Sequence, residues 1–135
     1  MNEINGHDFY MRRCLAIAEQ AAANGESAVG CVIVKDGIII GEAAEQSRQS
    51  KDITRHAETL AILNAVKAHD GCEGAVLYSN VEPCVLCSYV IRHYKIKEVV
   101  FSKPCGELGG TGPRFPILTA EVASWNGIPI VTKYP

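Results

Sequence analysis

Two short segments, 28 residues apart, are the strongest constraint this chain places on its own fold. The first is Arg55-His56-Ala57-Glu58-Thr59-Leu60; the second is Glu82-Pro83-Cys84-Val85-Leu86-Cys87. Zinc takes histidine nitrogen and cysteine thiolate, and a catalytic site keeps a fourth position for water. His56, Cys84 and Cys87 supply one nitrogen and two sulfurs, so a fold that brings them together builds such a site. Cys84 and Cys87 stand at i and i+3 and share one face of a helix. Glu58 is too close to His56 to be a comfortable fourth ligand, but close enough to reach a water at the metal. Two thiolates neutralise the divalent cation, and helix N-termini aimed at the site favour thiolate. Bound zinc brings the pKa of water from 15.7 to about 7, which leaves Glu58 the general acid–base work of taking and returning a proton.

Each piece has a plainer reading by itself. Cys-x-x-Cys alone is equally a structural zinc knuckle or a redox pair, and a lone His56 is an ordinary polar residue at a helix start. A structural zinc needs four ligands, yet the chain has no second Cys-x-x-Cys, and nothing around the pair resembles a redox motif. The three pieces together point to a catalytic zinc site. Cys14, Cys31 and Cys72 read as buried thiols or bystanders, and Cys105 as a weak candidate for an extra ligand. His7, His69 and His93 have no partner at metal spacing. The glycines from 106 to 112 lack the lysine of a phosphate loop, and Lys95, Lys97 and Lys103 read as a solvated face.

At 135 residues the chain predicts one domain, 1–135, with a real core. A net charge of −2 lacks the basic footprint of a dedicated nucleic-acid binder. The polar stretch Met1 to Asp8 has no signal-peptide core and no apolar run reaches membrane-span length, so a cytoplasmic location is expected. The periodicity predicts a helix from Asp8 to Asn24 with Asp8 as N-cap, and a hairpin of Val29–Val34 and Ile38–Ile40 about Asp36-Gly37. A loop over 46–52 follows, then a helix capped by Thr54. Strands are predicted at 75–79, 98–101 and 128–131, helices from Pro83 to Tyr94 and over 117–125, and a loop over 104–116. The order gives an α/β fold built on one five-stranded mixed sheet.

His56-Ala57-Glu58, Leu77 to Cys87 and Val29-Gly30-Cys31-Val32-Ile33-Val34 resemble the cytidine and deoxycytidylate deaminase superfamily, over about Phe9 to Val131. The chain is most similar to the branch with tRNA adenosine deaminases, guanine deaminases and fungal-type cytosine deaminase. The resemblance implies a three-layer α/β/α sandwich of the cytidine deaminase type and a Zn2+ cofactor on His56, Cys84 and Cys87. It implies Glu58 as the catalytic proton carrier, and a homodimer or higher oligomer. It also implies that the amides of Ala57 and Cys84 contact the base or the attacking oxygen, and that the Glu82 carbonyl accepts from the leaving amino group.

Two departures from the branch matter. Glu45 stands where an asparagine commonly meets the base; asparagine donates and accepts, whereas an ionised glutamate only accepts. Glu45 is therefore expected either to favour a ring presenting N–H donors or merely to end a strand. Asp52-Ile53-Thr54-Arg55 replaces the usual Asp-Pro-Thr-Ala of the tRNA enzymes, and no long basic C-terminal helix follows Val131. Gly109 to Phe115 is expected as a lid, with Phe115 stacking on a base or packing in the core. Sequence alone thus puts first the hydrolytic deamination of a small nucleobase or related heterocycle of guanine, cytosine or isocytosine type. A tRNA adenosine-to-inosine deaminase comes second, a small-molecule substrate being expected ahead of nucleic acid, and a non-catalytic zinc-containing scaffold third.

Overall fold

The computed structural model describes residues 3–135. Its elements run α1 (Glu3–Ala23), β1 (Gly30–Lys35), β2 (Ile38–Ala44), α2 (Ser47–Ser50), α3 (Ala57–Ala68), β3 (Val76–Val81), α4 (Val85–His93), β4 (Glu98–Lys103) and β5 (Ile130–Lys133), with a 3-10 turn at Ala123–Trp125 before the last strand. The five strands make one sheet in the order β2-β1-β3-β4-β5. β1 pairs antiparallel with β2 and β3, while β3, β4 and β5 run parallel. This is the three-layer α/β/α sandwich around a mixed sheet that the sequence predicts.

Alternation along the strands sorts the two cores. Cys31, Ile33, Leu77 and Val99 join Ala57, Ala61, Ile62 and Ile91 of α3 and α4 on one face. Val32, Val34, Tyr78 and Val100 meet Met11, Cys14 and Ile17 of α1 on the other. A strand covered on both faces reads as a continuous apolar run, as β1 does. The hairpin turn is Asp36-Gly37, with φ of 52° and 77°, the paired positive values that a type I′ turn requires. The register steps from Ile33↔Gly41 to Val34↔Ile39, so Ile40 is the extra residue of a bulge in β2.

Gly41 sets the helix of the first motif on the sheet. A Cβ there would lie 2.5 Å from the Ala61 carbonyl oxygen and 2.9 Å from Ala65 Cβ. Gly41→Ala is therefore expected to push α3 off β2 and to lower stability by about 1–3 kcal/mol, the usual cost of overpacking. The midpoint of denaturant unfolding measures it, and an unchanged midpoint would show that α3 rides up freely.

Several boundaries differ from the sequence reading. α1 extends to Glu3, so Asp8 lies inside it, where its carboxylate pairs with Arg12 3.0 Å away and accepts the Tyr134 hydroxyl. The 46–52 loop holds the single turn α2. α3 begins at Ala57 and α4 at Val85, so His56 rather than Thr54 is the N-cap of the first, and Cys84 caps the second, which starts two residues after the expected Pro83. The helix expected over 117–125 shrinks to the 3-10 turn. The stretch is held instead by Arg92, only 2% exposed, whose guanidinium donates to the carbonyls of Ile117, Ala120 and Gly127 and lies 4.8 Å from the Trp125 ring centroid.

Candidate metal centre and cleft

The N-termini of α3 and α4 converge at one end of the sheet. Each cap residue has extended backbone, φ −78° and ψ 149° at His56, φ −76° and ψ 179° at Cys84, and neither side chain caps its own helix. The two side chains turn to each other instead. His56 Nδ1 lies 3.4 Å from Cys84 Sγ and 3.5 Å from Cys87 Sγ. All three donor atoms lie within 4.8 Å of one another. One imidazole nitrogen and two sulfurs at this spacing fit zinc, and three protein ligands leave a position for a small molecule. Cys87 is fully buried and lies 3.3 Å from the Thr59 hydroxyl, one helical turn on from His56.

In the metal-free protein one of the three donors, Cys84, is already in its metal-binding form, while His56 and Cys87 release protons when a metal binds. Hydrogen bonding from Cys87, with His56 beside it, brings the Cys84 thiol down to about 4, well into the thiolate range. The same contact, added to burial, pushes the Cys87 thiol up. The Cys84 sulfur holds the His56 imidazole up at about 9. Burial raises the Glu58 carboxyl to about 8, with Cys84 and Glu45 adding negative charge nearby.

A cleft of about 300 Å³ opens over this centre. It is lined by Ser27, Val29, Glu45 and Ser47, by His56 and Glu58, and by Val81, Glu82, Cys84 and Cys105. Glu45 therefore faces the cleft rather than open water. Its Oε1 accepts the Ala57 N–H at 3.1 Å and its Oε2 the Ser47 hydroxyl at 2.6 Å. The Ala57 amide, which the resemblance offers to a base, is thus held by Glu45. Phe115 is partly buried, 5.7 Å from the Arg114 guanidinium, and is not among the residues lining the cleft. Arg55 is exposed and pairs with Asp52.

The sequence reading missed three supports of the cleft. Glu26 is buried, and its carboxylate accepts the amides of Arg48 and Gln49, seating α2 and with it Ser47. Thr59 carried a signal, since i+3 from His56 places it on the same helix face. The Glu82 side chain accepts from Cys105 and Thr111, partners too distant in sequence to leave any local pattern. The loop expected as a lid is bound down over 108–111, where the Val85 amide donates to Leu108 and the Gly110 amide to Pro83.

The family model described as the cytidine and deoxycytidylate deaminase zinc-binding region matches residues 4–103. The tRNA-specific adenosine deaminase of Aquifex aeolicus is 39% identical over 118 residues, covering 84% of this chain and 76% of that protein. A solved structure from work on A-to-I editing by tRNA:A34 deaminases at the wobble position of transfer RNA superposes with a TM-score of 0.82 at 28% identity, over 93% of this chain and 97% of that one. The guanine deaminase of Bacillus subtilis superposes with a TM-score of 0.69 at 32% identity, over 77% of this chain and 66% of that one.

Proposed function

Because this chain belongs to the cytidine and deoxycytidylate deaminase zinc-binding family, a family of zinc-dependent deaminases, we propose that it catalyses hydrolytic deamination in the His56–Cys84–Cys87 cleft and that its substrate is adenosine in tRNA. The observation that carries the substrate is the likeness to tRNA-specific adenosine deaminases, 39% identical over most of the chain. On sequence alone a free heterocycle comes first; the relatives move adenosine ahead of it.

His56, Cys84 and Cys87 would hold the zinc, which when bound supplies the Lewis acid that makes water a nucleophile near neutral pH. Glu58, 4% exposed in the cleft lining, accepts a proton from the attacking water at its carboxylate and delivers it to the exocyclic nitrogen. The water oxygen bonds to the ring carbon, the carbon–nitrogen bond breaks, and ammonia leaves. In this reading, as the resemblance implies, the Glu82 carbonyl accepts from that amino group. A homodimer that closes the cleft with a second copy is part of this proposal.

A second reading has one observation in its favour. The carboxylate of Glu45, which already acts as acceptor at both oxygens, offers the substrate only further acceptor positions. The N1, N3 and N7 positions of adenine are acceptors too, whereas a ring with N–H donors, as in guanine or isocytosine, complements it. Ammonia release from a tRNA anticodon stem-loop, set beside guanine, isocytosine, cytosine and adenine, separates the readings. The proposal expects turnover of the stem-loop above all free bases, and turnover of guanine or isocytosine alone would replace it with the second reading. Glu45→Asn is expected to raise the adenine-to-guanine ratio of kcat/KM about tenfold or more, as for one hydrogen bond to a charged group gained or lost. An unchanged ratio would confine Glu45 to holding Ala57 and Ser47.

A further inference from the structure

Glu82 carries a buried carboxylate that the proposed reaction leaves without a task. It is 5% exposed and lies two residues before Cys84. Its Oε1 accepts the Cys105 N–H at 3.0 Å, and its Oε2 accepts both the Thr111 N–H at 3.0 Å and the Thr111 hydroxyl at 2.5 Å. One side chain thus closes both ends of the 105–111 loop. The backbone between the two ends is bonded down as well. The Val85 amide donates to Leu108 at 2.9 Å and the Gly110 amide to Pro83 at 2.8 Å. Gly109 and Gly110 make the close approach possible, because a Cβ on the first would meet the Glu82 carboxylate and on the second the Ser88 hydroxyl. The loop brings Cys105 to the rim of the cleft, beside Cys84 and Val81.

We propose that Glu82 is a positioning residue, whose carboxylate pins Cys105 and Thr111 so that the 105–111 loop stands as a fixed wall of the cleft and not as a lid. Three donors on one carboxylate satisfy the whole buried group, and hydrogen bonds to a charged acceptor are the stronger kind. Cys105 is the residue by which that loop lines the cleft, so a fixed loop limits how far the cleft can widen at Cys105. The inference rests on the cleft being the substrate site, but its first readout needs no substrate.

Amide hydrogen exchange is to be followed in the zinc-loaded protein for wild type, Glu82→Gln, Thr111→Val and Thr111→Ser. Wild type is expected to protect the Cys105 and Thr111 amides. Glu82→Gln turns an acceptor into a donor facing a donor, and is expected to speed exchange there about tenfold to a hundredfold. Zinc content should hold, and KM should rise about tenfold with kcat within about twofold, on whichever substrate the panel identifies. Thr111→Val should move exchange and KM the same way by less, and Thr111→Ser, which restores the hydroxyl, should return both to wild type. Wild-type exchange at 105–111 as fast as in a free peptide would overturn the proposal, as would variants with unchanged exchange and KM. A fall in kcat with KM unchanged would overturn it too. If Glu82→Gln does not fold, Thr111→Val against Thr111→Ser decides. A cleft with no activity on any ring would defeat the proposed function and leave the exchange result standing.

Discussion

Glu58→Gln is expected to keep its zinc and to lose turnover by about 10²–10⁴-fold, the range over which a positioned proton carrier contributes. Glutamine fills the same space and hydrogen-bonds in the same place, but has no carboxylate to take the water's proton. The variant also tests burial. Burial raises the Glu58 carboxyl to about 8 in the metal-free protein, so the folded state binds a proton there that the unfolded chain releases from its ordinary value upward. Between those two values the unfolded state binds fewer protons, and stability falls as pH rises. Glu58→Gln removes that slope, so metal-free Glu58→Gln should be at least as stable as wild type at pH 8. Zinc content by a chromogenic chelator and ammonia release by a coupled assay read the first part; urea unfolding at two pH values reads the second. Activity within tenfold of wild type would sink the proton role of Glu58, and with it the division of labour across His56-Ala57-Glu58.

His56→Ala is expected to lose both metal and turnover. Two sulfurs three residues apart remain, and a Cys-x-x-Cys pair alone does not complete a three-ligand site. Losing an outer partner of a ligand already costs about 10–100-fold in metal affinity; removing the only nitrogen donor should exceed that. Competition against a chelator of known affinity measures the loss. Stoichiometric zinc on His56→Ala after dialysis would mean that the metal is held elsewhere. The two variants are expected to differ in metal content while sharing the loss of activity.

The parts of this fold that can be read from sequence are those whose cause is local. The Asp36-Gly37 turn, the alternation of β1 and the apolar stripe of α3 each lie within a few residues of their signal. So does the Cys84–Cys87 pair, which sits on one turn, whereas His56 was legible by residue type and motif rather than by locality. What could not be read depends on which of several partners a side chain takes, some near in the chain and some far. Thr54 has the chemistry of an N-cap, but the Asp52 carboxylate takes both its amide and its hydroxyl, and the helix starts two residues later at a cap whose side chain faces the cysteines. The apolar run from Ile117 does not become a helix because Arg92, on another element, collects the carbonyls of Ile117 and Ala120. Glu45 was visible as an oddity, but nothing local showed that Ala57 and Ser47 occupy it. The Glu82 side chain went unread because its donors lie 23 and 29 residues away.

The placing of His56 and Cys84 at the caps of α3 and α4 limits how this protein can be improved. A serine, aspartate or asparagine at an N-cap is worth about 1 kcal/mol over a residue that does not cap, and cap optimisation is a standard route to a tougher protein. Here both positions are taken by side chains that turn away from their helices. The first amide of each helix borrows its acceptor from elsewhere, Ala57 from the Glu45 carboxylate and Val85 from the Leu108 carbonyl. An engineer who caps either helix in the usual way would gain heat tolerance and lose the metal centre. Among the described residues none of those lining the cleft belongs to α1, so stabilisation on that side of the sheet leaves the centre untouched.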